Sequence, residues 1–426
     1  MNQVTTKATS TTGSRPAALF QGYNSVMGYG LSMAVEGTSV TGGGSSSVSC
    51  SVCLSASELS ESLEVDQSLS LGVAGLGSAS EKSKFVETLD VTTYSVSIVV
   101  YAKHCTGTES ATDFKLKSGI PVPSSNEELN GFVRGYGDSF VSALTRGGEY
   151  YAVYTFYSQT VEEQTSLTTQ LKATGIYDGV SVNAELQTKF TSFLKTTTVR
   201  YSFKQNISGL ANPSYPDPTA IISFALAFPS KTVNSPAIIA METTGYENVY
   251  AIGNKFKPVT KNRDYFVGDG TVSGRIDDLL TLTQQLNQMQ WIASVYSYYG
   301  GFTDQVLIDR TKQTTADINA IKAQMEAYED DATQTFATLS LPSLGYGTPV
   351  LTYTTNTNTA QGGNGGSSFD DVTNPATYVQ RKTRISALQL RSGSRVDHLY
   401  ATYEYLDGSD GVVSSQTSHG GNGGSP

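Results

Sequence analysis

The chain has 426 residues and a formal net charge of −10, with 28 lysines and arginines against 38 aspartates and glutamates. This charge argues against a nucleic-acid partner, because phosphate binding requires clustered basic side chains. It also argues against purely electrostatic attraction to anionic lipid. Charged residues make up only 15% of the chain and there are 25 tyrosines, a composition typical of a strand-rich protein with a hydroxyl-covered surface.

The length predicts two or three domains. Residues 1–20 are rich in Thr and Ser and are predicted to form a flexible leader. Within this leader, Met1–Pro16 is polar and has no apolar core, so no secretory signal is predicted. No stretch of the sequence approaches the ~18 apolar residues expected of a membrane-spanning helix.

The sequence offers no constellation of residues for catalysis or metal binding. Cys50 and Cys53 have CxxC spacing, but no second pair completes a zinc site. Together with Cys105 they are too few for a disulfide framework, and we interpret them as incidental. The sequence has no nucleophile elbow and no phosphate loop. We therefore predict that the protein is not an enzyme and has no catalytic residue, metal or cofactor.

Strands and helices mix from about residue 21 onward. Tyr94–Tyr101, Glu149–Phe156 and Val199–Phe203 are predicted strands, since apolar or aromatic residues dominate one or both of their faces. Asp277–Tyr296 and Thr303–Tyr328 are predicted helices. Their expected inward stripes are Leu279, Leu282, Leu286, Met289 and Ala293 in the first helix, and Val306, Ile318, Ile321 and Met325 in the second.

Val180–Lys195 is compatible with two secondary structures. Its even positions are mostly apolar and its odd positions mostly polar, as in a strand with one wet face. Leu186 and Phe190 also fit helical spacing, and Glu185 and Lys189 have the i,i+4 spacing of a helical ion pair. The apolar residues of the alternating pattern are Val180, Val182, Leu186, Phe190 and Leu194.

Ser55–Val91 shows a similar pattern on two arms that flank a turn near residues 75–77. Apolar residues alternate with polar ones on both arms, and Glu87 interrupts the apolar face of the second arm. The apolar positions are Leu63, Val65, Leu69, Leu71 and Val73 on the first arm, and Phe85 and Leu89 on the second.

A membrane hairpin needs two strands of about 9–11 residues and a turn. Ser55–Val91, with 37 residues, and Thr165–Lys195, with 31, are both long enough. A segment that is helical when folded away and alternating when extended has the property that a soluble-to-membrane transition requires. On this pattern alone, two ordinary amphipathic surface elements remain the alternative interpretation.

One motif favours the interpretation that both segments change from helix to strand on entering a membrane. It consists of Tyr136, Gly137, Asp138, Ser139 and Phe140, followed after six residues by Gly147 and Gly148. It resembles the signature of the membrane attack complex/perforin (MACPF) superfamily, which has an aromatic residue, Gly, Thr or Ser, His, a second aromatic residue, and then Gly-Gly. Asp138 and Ser139 depart from the usual middle residues. An ordinary strand bulge is the alternative for the glycine pair.

The resemblance covers about residues 21–345 and implies an α+β fold. A bent, twisted antiparallel four-stranded sheet would be flanked by two helical clusters, at about residues 55–91 and 165–195. The glycine pair would lie where the sheet bends, since glycine tolerates a kinked strand. In the pore, the clusters would become β-hairpins and neighbouring subunits would pair into a ring or arc, which satisfies the backbone donors in the membrane.

The C-terminal residues 362–426, after a linker at 346–361, resemble the first part of a jacalin-like lectin, a β-prism. The glycine run at residues 362–367 recurs at 420–425. The resemblance implies a mannose-type site between a Gly-Gly loop and a Gly-x-x-x-Asp loop, and a further stretch of prism beyond Pro426 or packing of this segment on the larger domain. The expected carbohydrate-binding residues are Gly393, Val396, Asp397, Gly420, Gly421, Asn422 and Gly423.

These resemblances imply a pore-forming protein that is secreted as a soluble monomer, binds a glycan-bearing target-cell membrane, oligomerises and inserts two hairpins per subunit. Its expected partners are membrane lipid, a cell-surface glycan and further copies of itself. A non-lytic adhesion or recognition protein with the same fold is the main alternative. An aerolysin-like pore architecture is a weaker one.

Overall fold

The computed structural model describes residues 17–65, 82, 85–86, 88–158, 160–176, 182–347, 349–351, 369–371, 382–406, 411–423 and 425. The strands are β1 (Gly22–Asn24), β2 (Tyr29–Gly30), β3 (Val35–Gly42), β4 (Ser45–Cys53), β5 (Ser95–Leu116), β6 (Ser139–Tyr157), β7 (Tyr201–Ser208), β8 (Ala237–Gly245), β9 (Arg384–Ser392), β10 (Val396–Leu406) and β11 (Val412–Gly420). The α-helices are α1 (Ala56–Ser62), α2 (Asn126–Tyr136), α3 (Val161–Thr174), α4 (Ala184–Thr196), α5 (Ile221–Ala227), α6 (Lys257–Val267), α7 (Arg275–Tyr298) and α8 (Gln305–Asp330).

The large sheet is built on two long antiparallel strands. β5 and β6 pair continuously from Ser95 opposite Tyr157 to Ser110 opposite Ala143. On its other side β5 pairs first with β4 and then with β3, and β6 pairs first with β7 and then with β8. The eight strands that the structure describes in this sheet therefore form four antiparallel columns with the short β1–β2 pair at one edge. The predicted α+β fold class is confirmed.

The partner strands change at one level of the sheet. β7 pairs with β6 as far as Glu149, and β8 takes over at Gly147. At this level the β5–β6 register shifts between Cys105 and Gly107, which is a bulge that adds local bend and twist. A Cβ on Gly147 would lie 2.1 Å from the carbonyl oxygen of His104, so no larger residue fits.

The lower half of the sheet, from this level to the Ser95 end of β5, is buried on both faces. One face presents alternate residues of β5 and β6, including Ile98 and Tyr154, to α3, α4 and α5. The other face presents the intervening residues, including Val99 and Tyr151, to α1 and to residues 63, 65, 85, 86, 89 and 91. A strand that packs on both faces needs apolar residues at both parities, and β5 is buried at every position from Ser95 to Ala102.

The upper half of the sheet packs against a separate core formed by α2, α6, α7 and α8. The two long helices α7 and α8 begin and end within two residues of the predicted bounds. Two of the residues predicted to face inward, Ala293 and Val306, are exposed, so these two predictions are wrong. At this end of α7, Ile292 and Val295 are buried instead, in a smaller core with Leu307 of α8.

The C-terminal strands form a separate three-stranded antiparallel sheet in the order β11-β10-β9. This sheet contacts the end of α7, where the Tyr299 hydroxyl donates to the carbonyl oxygen of Thr383 at 2.9 Å. Leu388 and Leu390 on β9 remain more than half exposed. The glycine run at 362–367 lies outside the described residues. Among the helices of the described residues, none combines the length and the apolar character that crossing a membrane requires.

Candidate functional site

The signature residues join α2 to β6. Tyr136 ends α2, and Gly137 follows with φ at +83° and a Cβ position only 2.0 Å from the carbonyl oxygen of Tyr23. Glycine is therefore required at this turn both for its backbone conformation and for space. Phe140 is fully buried and packs edge-on against Phe114, with ring centroids 5.0 Å apart.

Asp138, which departs from the usual signature, is the centre of a buried hydrogen-bond network. Its carboxylate accepts from the Ser25 hydroxyl at 2.7 Å, from the Ser25 amide at 3.1 Å and from the Tyr328 hydroxyl at 2.9 Å. The Ser139 hydroxyl lies 2.8 Å from that of Ser25. Burial raises the pKa of the Asp138 carboxyl, and Arg263 and the hydrogen-bond donors oppose this rise. The network connects the chain near β1, the start of β6 and the end of α8.

Cluster 2, defined here as α3 and α4, covers one face of the lower sheet. Thr160 and Asn183 cap the two helices through side-chain oxygens, and Gly175 ends α3 in the left-handed conformation. Phe190 packs edge-on against Tyr154 of β6, with ring centroids 5.2 Å apart. The buried side chains of the cluster are Leu167, Leu171, Leu186, Phe190 and Phe193.

The structure gives cluster 2 its helical form. The Glu185–Lys189 ion pair is present at 2.8 Å. Of the alternating residues, Leu186 and Phe190 are buried, whereas Val182 and Leu194 are half-buried and pack against the same core. Val180 lies outside the described residues. Phe193, on the polar parity of the alternating pattern, is buried because the helix turns it toward Phe156.

Cluster 1, defined here as α1 with residues 63–65, 82 and 85–91 where described, covers the opposite face. Leu63, Val65, Phe85 and Leu89 are all buried in its core. The Phe85 ring packs edge-on against Tyr151 of β6, with centroids 4.8 Å apart. The remaining predicted insertion residues, Leu69, Leu71 and Val73, and the charged Glu87 lie outside the described residues.

A buried ion pair fastens cluster 1 to the sheet. The Lys82 ammonium lies 2.8 Å from the Glu149 carboxylate, and their side chains are only 7% and 4% exposed. The Tyr101 hydroxyl of β5 also donates to this carboxylate. Burial raises the pKa of Glu149, while Lys82 and the two hydrogen bonds favour its charged form. A second, partly exposed pair joins Lys103 of β5 to Glu64.

The two C-terminal loops of the predicted sugar site meet. The amide of Gly421 donates to the carbonyl oxygen of Asp397 at 2.9 Å, and a Cβ on Gly423 would lie 2.9 Å from the Asp397 carboxylate. A Cβ on Gly393 would lie 3.6 Å from the same carboxylate. Arg395 donates to it at 3.3 Å. Val396, Gly420 and Asn422 lie in the same pair of loops.

The sequence did not reveal the buried partners of Asp138 or the Lys82–Glu149 ion pair. Glu149 stands among tyrosines directly after the glycine pair, and a carboxylate in an otherwise apolar strand was the signal for a buried partner. Nothing in the sequence around Lys82 indicates that it is buried, because its partner Glu149 is distant in the chain. Cys53 was set aside as incidental, yet its sulfur lies 3.2 Å from the Ser62 hydroxyl of α1.

No protein-family model and no curated protein matches this sequence. Among solved structures the chain is similar to stonustoxin, at 11% identity and a TM-score of 0.37, over 75% of this chain and 40% of that one. It is similar to pneumolysin at 14% identity and a TM-score of 0.27, over 49% and 41% of the two chains. A putative cell invasion protein with a MAC/Perforin domain from Bacteroides thetaiotaomicron is similar at 11% identity and a TM-score of 0.28, over 58% of each chain.

The chain spans less than two thirds of the length of each of these proteins. At such low TM-scores the similarities carry no argument about activity. The fold class rests on the four antiparallel columns and on the helical elements that cover both faces of the lower sheet. These features define an α+β architecture with a large antiparallel sheet covered by helices on both faces. The lectin resemblance remains a prediction.

Replacing Asp138 by Asn tests the buried network. We expect a loss of about 1–3 kcal/mol in unfolding free energy at low pH, because the amide oxygen can still accept but the NH2 group that replaces the second oxygen cannot accept from the Ser25 and Tyr328 donors. Since burial raises the pKa of Asp138, the stability that its protonation provides is full below the unfolded pKa of about 4 and is lost as pH rises through the native pKa. The wild-type advantage over D138N should therefore shrink with rising pH in urea titrations.

Asp269→Asn is the control with the opposite sign. Asp269 is exposed, and its hydrogen bonds to Thr271 and Val272 lower its pKa. The advantage of wild type over this variant should grow as pH rises. An equal pH slope for the two variants would contradict the assignment of Asp138.

Proposed function

We propose that the chain is a pore-forming protein whose two clusters unfold from the sheet and enter a membrane as β-hairpins. The observation that carries the proposal is the common exit point of both clusters. Cluster 1 connects Cys53, the end of β4, to Ser95, the start of β5, and cluster 2 connects Tyr157 to Tyr201. These four strand ends lie side by side in the ladder at one end of the sheet.

Extension of both clusters would prolong four adjacent strands in their existing order. β4 and β5 would continue as one hairpin, and β6 and β7 as the next, with antiparallel pairing between them. Each connection contains enough residues for two strands of about 9–11 residues and a turn. Edge strands in lipid need further partners, which neighbouring subunits in a ring or arc would supply.

Release of cluster 2 in water would be opposed strongly. Full burial of each Leu or Phe side chain is worth about 1.5–3 kcal/mol, so the five buried residues of cluster 2 together oppose release by on the order of 10 kcal/mol. Lipid would cover the apolar side chains on one face of an extended strand. This burial would restore much of the free energy that release costs. Insertion is therefore coupled to contact with a membrane and to assembly.

The Lys82–Glu149 ion pair favours a second candidate, a non-lytic adhesion protein. Breaking a buried pair leaves an uncompensated charge, and this cost holds cluster 1 on the sheet. In that case the fold would recognise a surface without rearranging. Electron microscopy of protein-treated membranes separates the two candidates, since rings or arcs support pore formation and isolated particles support adhesion.

Disulfides that lock the clusters test the proposal. Ser62→Cys places a thiol beside Cys53, where the two side-chain atoms are 3.2 Å apart, and closes α1 onto β4. Thr191→Cys with Thr219→Cys ties α4 to the neighbouring 3₁₀ turn Pro218–Ala220, because the Thr191 hydroxyl donates to the Thr219 carbonyl at 3.2 Å. We expect each oxidised variant to lose dye release from glycolipid-containing liposomes and to recover it on reduction.

Thr38→Cys with Thr112→Cys is the matched control, since it crosslinks β3 to β5 where the two hydroxyls lie 2.8 Å apart and nothing needs to move. We expect this oxidised control to cause dye release from liposomes as wild type does. Dye release that persists when both clusters are locked would overturn the hairpin mechanism.

We further propose that the two C-terminal loops bind a mannose-type sugar. The Asp397 carboxylate lies between the glycine loops, where it can accept from two adjacent hydroxyl groups while loop amides donate to the same ring. The sugar would compete with Arg395 for the carboxylate. Glycan binding would raise the local concentration of subunits on the target surface and so drive assembly.

Asp397→Asn should reduce binding to immobilised mannose by about tenfold or more, because a charge-assisted acceptor is lost. Glu404→Gln is the control, since Glu404 on the same strand forms a comparable pair with Arg384 away from the loops. Surface plasmon resonance on mannosylated and unmodified surfaces measures both. Equal loss in the two variants, or no mannose binding by wild type, would contradict the sugar site.

A further inference from the structure

A cavity of about 630 Å³ lies between α2, α6 and the segment that follows α8. It sits beside the upper core, away from the sheet end at which the two clusters leave the strands. Its inner wall is apolar, with buried Leu129 and Pro123 and the half-buried rings of Tyr265 and Phe336. Neither the signature nor the proposed pore mechanism uses this cavity.

The rim of the cavity carries three lysines in a chain whose net charge is negative. Lys255 lies in the 3₁₀ turn Gly253–Phe256, and Lys257 and Lys261 follow on α6. Lys257 and Lys261 are one helical turn apart, a spacing at which like charges repel. The ion pairs formed among the described residues involve other basic side chains.

The nearest acidic residues on α2 do not neutralise this rim. Glu128 accepts hydrogen bonds from the Ser124 amide and hydroxyl at 2.7 and 2.6 Å, and these bonds lower its pKa. The lowered pKa keeps Glu128 charged, but formal charges of −2 from Glu127 and Glu128 against +3 from the three lysines leave the rim net positive. The side-chain amide of Asn262, on the cavity floor, donates to the carbonyl oxygens of Ala332 and Gln334 and holds the third wall in place.

We propose that this cavity binds a small amphipathic anion, namely a phosphate, sulfate or carboxylate group attached to a flat apolar body. The lysines would hold the anionic group at the rim, and the apolar body would lie against the Tyr265 and Phe336 rings. Ammonium groups at the rim would make charge-assisted contacts with the anionic group, which would relieve the mutual repulsion of Lys257 and Lys261. The inference is independent of pore formation, because the cavity is remote from the clusters.

Titration calorimetry and thermal unfolding of the full chain test this site with phenyl phosphate, inorganic phosphate and phenol as probes. Phenyl phosphate should bind saturably and raise the unfolding temperature, because it binds the folded state alone. Inorganic phosphate and phenol should each bind at least about tenfold more weakly, since each uses half of the site.

The variant with Lys255→Gln, Lys257→Gln and Lys261→Gln should lose binding of phenyl phosphate by about 100-fold or more while keeping its fold, because all three side chains are exposed. The control variant carries Lys172→Gln, Lys195→Gln and Lys312→Gln, which change the net charge equally at exposed positions away from the cavity. Binding that survives in the first variant or falls equally in the second would overturn the site. So would equal affinity for phosphate or phenol.

Discussion

The rest of the structure depends on keeping water away from both faces of the lower half of the sheet. In the lower part of β5 and β6, residues of both parities are buried and most of them are apolar or aromatic. A strand ladder of this kind is stable only between two covering layers. Clusters 1 and 2 provide these layers, and both belong to connections that leave the same end of the sheet. The covering layers are therefore also the segments that extend the strands in the proposed mechanism.

The two layers are held by different forces. Cluster 2 contacts the sheet through leucines and edge-on aromatic rings, apolar contacts that lipid would replace at little cost under the proposed mechanism. Cluster 1 adds the buried Lys82–Glu149 pair. When cluster 1 leaves, Glu149 stays on the sheet and Lys82 moves with the cluster, so both charges must regain water or new partners. Under the proposed mechanism, this pair makes cluster 1 the more demanding of the two to release.

The glycine level separates this covered half from the upper half, which carries the Asp138 network and the lysine-rimmed cavity. At Gly147 the close approach of His104 leaves no room for a side chain, and β6 changes partner from β7 to β8 there. The upper half is fixed by hydrogen bonds from Ser25 and Tyr328 to a fully buried carboxylate. Under the proposed mechanism, the lower half rearranges and the upper half does not, and the two meet at this level.

The sequence was sufficient for the parts of the fold that local patterns determine. The long helices α7 and α8 and the strands around Tyr94–Tyr101 and Glu149–Phe156 were predicted from periodicity and spacing. The pattern of Val180–Lys195 fitted both a strand and a helix, and the structure has a helix at Ala184–Thr196. The inward faces failed at Ala293 and Val306, because each long helix contacts different cores along its length and the buried stripe shifts with the neighbour.

Distant pairs were beyond prediction for a different reason. Lys82 and Glu149, or Asp138 and Tyr328, come together only through the tertiary fold, and neither residue of a pair marks the other in the sequence. The lysine-rimmed cavity is of the same kind, since its walls come from three separate parts of the chain. The structural role of the unusual Asp138 in the signature motif became apparent only from the positions of Ser25 and Tyr328 around it.

The most direct test of the central claim is a fluorescence scan along residues 184–191 of cluster 2. A polarity-sensitive probe is attached to one cysteine at a time, in a background in which the three native cysteines are replaced. In solution the exposure should follow the helix, with Leu186 and Phe190 protected. In leaky glycolipid vesicles the account predicts a period of two, with even positions in lipid and odd positions in water. A helical period that persists in leaky vesicles would contradict it.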